Sequence, residues 1–119
     1  MFRILDQTKD NLIALRIEGR IEKSDYEKLN PLLEKSAKEY DYINLYIEMD
    51  EIKGIQPKAM WDDIVTYAKY KNQINNVAVL SDKSWYKPVA KLTNPFVAGE
   101  IKYFPMSEQL NAMEWISQN

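Results

Sequence analysis

The chain has 119 residues, 45% hydrophobic and 29% charged, with a formal net charge of -2. That length favours a single domain with a real core, the composition is too apolar for a disordered segment, and the mild acidity gives no basic face for nucleic acid, so no nucleic-acid partner is expected. There is no Cys and no His, which excludes thiolate–imidazole zinc sites, Ser–His–Asp and Cys–His catalysis, and disulfides.

The start, MFRILDQTKDNL, meets charge too early for the apolar core of a signal peptide, and no apolar run approaches the roughly 18 residues of a membrane span, so a cytoplasmic protein is expected. FRILDQ and LIALRIEG are short alternating runs around TKDN and predict a hairpin of half-exposed strands, with Ile13, Leu15 and Ile17 on one face and Arg16 and Glu18 on the other. SDYEKLNPLLEKSAKEY predicts a helix with Ser24 and Glu27 at capping-box spacing and a stripe of Tyr26, Leu29, Leu33, Ala37 and Tyr40. Pro31 falls inside it and cannot donate to the Glu27 carbonyl, so a kink is expected over Glu27–Pro31.

YINLYIEM alternates strictly and predicts a strand with Ile43, Leu45, Ile47 and Met49 inward. QPKAMWDDIVTYAKYKNQI has helical spacing, with Trp61, Ile64, Val65 and Ala68 on one face and Pro57 in its first turn. NVAVLS is apolar on both faces, as a central strand of a covered sheet requires. SWYKPVAKLTNPF then predicts a helix capped by Ser84, EIKYFP a last strand, and SEQLNAMEWIS a closing helix capped by Ser107. The order is ββαβαβαβα: an α/β single domain over residues 1–119, with a mixed, mostly parallel five-stranded sheet and four main helices, the first strand antiparallel to the second.

Ligands of open α/β sheets sit beyond the carboxyl ends of the strands. Glu48, Asp50 and Glu51 after the third strand and Asp82 after the fourth are expected at that edge. Without a Gly-rich phosphate cradle they read as loop charge, so no metal and no cofactor is expected. Asp62 and Asp63 are adjacent on a helix and point about 100° apart, so they share no target and no catalytic residue is expected. Aromatic residues, including Trp61, Tyr67, Trp85, Tyr86, Phe96, Phe104 and Trp115, cluster on or beside the helices, and offer either core filling or a pocket.

Four stretches, GRIEKSDYEKLNPLLE, AMWDDI, VAVLSDKSWY and EIKYFPMSEQLNAMEWI, in this order along nearly the whole chain, make it resemble the SpoIIAA-like family of small bacterial proteins, in the STAS and CRAL-TRIO group of folds. The resemblance implies a mixed sheet flanked by helices. In the anti-sigma-factor antagonists of that group a phosphorylatable Ser opens the helix after the third strand. The matching turn here, KGIQPKAMW, offers Gln56, Pro57, Lys58 and Ala59 and no Ser or Thr, which argues against a phosphoserine switch there. Kinship with CRAL-TRIO proteins implies an apolar-ligand pocket and loose membrane association.

The expected function is a non-catalytic binding domain for an apolar or amphipathic small molecule or lipid, with peripheral membrane contact. Its expected lining is Met60, Trp61, Ile64, Trp85, Tyr86, Val89 and Phe96. Residues 85–97 are expected to form a cover helix with an inward stripe of Trp85, Val89, Leu92 and Phe96, Lys87 and Lys91 facing the membrane, and a hinge at Asn94–Pro95 before Gly99. The alternative is a STAS-type protein–protein regulator lacking the phosphorylatable Ser, with a protein partner in place of the small molecule.

The spacing of the paired acids makes the first testable prediction. The double variant Asp62→Asn, Asp63→Asn is expected to keep its thermal unfolding within about 0.5 kcal/mol of the parent and to keep ligand binding. Loss of a measurable activity at unchanged stability would restore an enzymatic reading.

Overall fold

The computed structural model describes residues 2–20, 22–53, 71–81 and 99–118. Five strands form one sheet: β1 Phe2–Ile4, β2 Leu12–Arg20, β3 Ile43–Lys53, β4 Ile74–Leu80 and β5 Ile101–Phe104, in the spatial order β1-β2-β3-β4-β5. The sheet is mixed. β1 runs antiparallel to β2, and β2–β3, β3–β4 and β4–β5 pair in parallel. The helices are α1 Lys23–Glu27, α2 Leu29–Glu39 and α3 Gln109–Ser117, with single 3₁₀ turns at Lys71–Gln73 and Met106–Glu108. Two main helices, α2 and α3, therefore stand among the described residues where four were expected. The two others, expected after β3 and after β4, fall on residues 54–70 and 82–98, outside the described residues.

The kink expected from Pro31 is a break at Lys28, between α1 and α2. Pro31 becomes the third residue of α2, where its missing N–H is one the helix leaves unsatisfied in any case. The capping box is shifted from its expected place. Ser24 is exposed inside α1, while the Asp25 carboxylate accepts the Glu22 N–H at 2.9 Å and reaches Lys28 Nζ at 3.4 Å. Burial opposes the charge on Asp25, but these donors outweigh it and hold the carboxyl below its usual range. Ser107 does not cap the last helix either. It lies within the 3₁₀ turn that Pro105 introduces, and Glu108 takes the cap position without a side-chain bond.

The two sheet faces carry separate cores. Ile13, Leu15, Ile17, Ile43, Leu45, Ile47, Met49, Val77 and Val79 meet Leu29 and Leu33 of α2 on the first face. Ala14, Tyr46, Ala78 and Leu80 meet Ala112 and Ile116 of α3 on the second. Helices on both faces are what parallel strands require, and they bury β3 from Ile43 to Met49 on both sides. The half-exposed hairpin expected for β1 and β2 is present, with Ile13, Leu15 and Ile17 buried and Arg16 and Glu18 partly exposed on the other face; Ala14 on that face departs from it by being fully buried.

A register shift pins the amino edge of the sheet. Between the pairs Ile43↔Ile74 and Leu45↔Val77, β4 carries one residue more than β3. At this bulge the Asn76 N–H donates to Asn44 Oδ1 at 3.1 Å, and Asn76 Oδ1 accepts the Glu100 N–H at 2.9 Å. Gly99, which follows the expected hinge, is tied in by its N–H to the Asn75 carbonyl at 3.0 Å. A methyl group at Gly99 would stand 2.8 Å from that carbonyl oxygen and would overlap Asn76 Oδ1.

Gly99→Ala is therefore expected to destabilise the fold by about 1–3 kcal/mol, the range for forced overpacking, measured by urea unfolding. Unchanged stability would show that this backbone approach is dispensable.

Candidate functional site

A ladder of charged and phenolic side chains crosses the second sheet face. Alternation in β3 places Asn44, Tyr46 and Glu48 opposite the apolar set, and Glu48 pairs in register with Arg16 of β2, which pairs in turn with Arg3 of β1. Arg16 Nη1 meets Glu48 Oε1 at 2.9 Å, and the Tyr46 hydroxyl donates to Glu48 Oε2 at 2.7 Å. Arg3 and Arg16 would repel as direct cross-strand neighbours, but Glu18 lies between them, 2.7 Å from Arg3 Nη2 and 3.5 Å from Arg16 Nε. Two cations face two anions, and the ladder is neutral.

Only 8% of the Glu48 side chain is exposed, against 25% for Arg16. Burial, then the Glu48 carboxylate, pushes the Tyr46 phenol far above its ordinary range and keeps it a neutral donor. Both Glu48 oxygens are thereby engaged. The arrangement stores a compensated charge and offers no free general base in this ladder.

Glu48, Asp50 and Glu51 were expected in a loop beyond the third strand. β3 continues to Lys53, so all three are strand residues, and Glu48 is a buried member of the ladder rather than a solvated edge charge. Among the described residues, no group of three or more Asp and Glu could hold a metal ion. The Glu48 row continues through Leu80 of β4 to Phe104 of β5, changing from charged to apolar across the sheet. Trp115 of α3 closes its apolar end, its ring 6.2 Å from Phe104 and 5.0 Å from Lys102 Nζ.

The expected lining residues Met60, Trp61, Ile64, Trp85, Tyr86, Val89 and Phe96, and the expected membrane-facing Lys87 and Lys91, lie outside the described residues, as do Asp62, Asp63 and Asp82. Clefts among the described residues open at the amino edge instead. One of about 340 Å³ lies between the β1–β2 loop and α2, and one of about 400 Å³ between the same loop and α3. Sequence reasoning missed Arg16 and Tyr46 as partners of Glu48. The signal was present: a strand buried on both faces that carries Asn44, Tyr46 and Glu48 on one of them must satisfy all three internally.

A model of the SpoIIAA-like family matches residues 12–117. No curated protein is matched. A solved structure of an uncharacterized Shewanella loihica protein with a SpoIIAA-like fold is similar, with 25% identity and a TM-score of 0.70, covering 98% of this chain and 92% of that one. Among the described residues no helix is long and apolar enough to cross a membrane.

The Tyr46–Glu48 bond gives a pH-dependent prediction. A phenol whose folded pKa is raised contributes stability that is complete below its unfolded pKa, near 10, and is lost as pH rises through the folded value. The parent is expected to lose stability steadily above about pH 10, and Tyr46→Phe to lose it with a shallower slope. At pH 7 the variant is expected to be weaker by about 1.5–3 kcal/mol, the range for a bond to a charged group. Parallel pH profiles for the two proteins would refute the coupling.

Proposed function

The chain belongs to the SpoIIAA-like family, and from that membership we propose that it is a non-catalytic binding domain for an apolar or amphipathic small molecule. The observation that carries the reading is the engaged state of Glu48. This buried acid in the carboxyl half of the sheet is paired with the Arg16 cation and accepts a hydrogen bond from the Tyr46 phenol, which supports a ladder that positions without performing proton transfer. Two further facts support it. The row through Leu80 and Phe104 supplies an apolar surface beside the charged ladder. The segments that bear Met60, Trp61 and Ile64, and Trp85, Tyr86, Val89 and Phe96, follow in the chain directly from the carboxyl ends of β3 and β4, the edge where open α/β sheets take ligands. On the same reading, Lys87 and Lys91 of the segment that follows β4 in the chain are proposed to supply cations for anionic headgroups.

Family membership also favours a second reading, a STAS-type regulatory domain that binds a protein. The stretch KGIQPKAMW lacks Ser and Thr, so control through that partner would not run through a phosphoserine at this place.

Native mass spectrometry of protein purified from its own host separates the two. A co-purifying lipid-sized mass is expected, and a bound protein in its place would favour the regulator. Hydrogen exchange with phospholipid vesicles or fatty acid is expected to raise protection across residues 85–97. Protection that is uniformly high and indifferent to lipid would make that segment ordinary core.

A further inference from the structure

We draw no further inference here: the strongest candidate, the cleft of about 260 Å³ where the turn between α2 and β3 gathers Tyr40 and Tyr42 with Glu39 and Asp41, carries nothing, because its two acids are exposed and no second observation in the structure points to what would fill it.

Discussion

Glu48 carries a negative charge into a sheet face whose neighbouring rows are closed by alanines and by α3, and the placement of three strands answers to it. An isolated carboxylate there would be prohibitively desolvated. Arg16 must therefore sit directly opposite on β2, Tyr46 must turn its phenol two residues along β3, and Glu18 must separate Arg16 from Arg3. Removing one partner of a fully buried pair costs about 3–5 kcal/mol, and less in this case because Arg16 keeps 25% of its side-chain surface exposed. The larger effect is on specificity. Slipping β2 by one residue would put Arg16 into the first core and Ile17 opposite the acid, so the charge ladder and the apolar alternation enforce the same register.

Most of this architecture was legible because it rests on local periodicity. The inward sets Ile13–Leu15–Ile17 and Ile43–Leu45–Ile47–Met49 follow directly from alternation, and the doubly apolar NVAVL run marks the central strand that β4 proves to be. Three errors share a different origin. Ser24 and Ser107 each have the right residue type for a cap, but Asp25 and Pro105 lie closer to where the chain enters its turn, and small offsets of that kind depend on tertiary anchoring. Glu48 was read as a loop charge because the sequence does not announce that β3 runs eleven residues to Lys53. Strand length is decided by pairing partners, here Gly19 and Arg20 of β2, which match Ile52 and Lys53 beyond the register shift.

The ends of the sheet are built by different physics. At the amino edge, amide side chains stand in for missing ladder bonds, Asn44 and Asn76 bridging the β4 bulge, while the backbone carbonyl of Asn75 receives the Gly99 N–H. Toward the carboxyl ends, full charges and aromatic rings take over, from Arg3 through Glu48 to Phe104 and Trp115. Neutral amide bonds are short-ranged and insensitive to salt, so the amino edge behaves as a fixed frame. The ladder is electrostatic and only partly buried, so binding of a charged group near Arg16 or Arg3 would be felt along β1, β2 and β3 together.

The kinds of signal that such a frame can register are narrow. Without His or Cys, no side chain has an ordinary pKa between the carboxylates and the phenols, and thiol chemistry is absent. The shifts observed widen that gap: Asp25 is held down, while Tyr40 and Tyr46 are held up. These three groups therefore keep their charge states across neutral pH. On the binding reading proposed above, a change of state comes from occupancy, through a bound molecule or a docked partner whose affinity differs between two arrangements of the chain. That constraint joins the binding readings to the composition. On that reading, a chain with no His and no Cys, and with its buried acid already paired with Arg16, responds by what it holds.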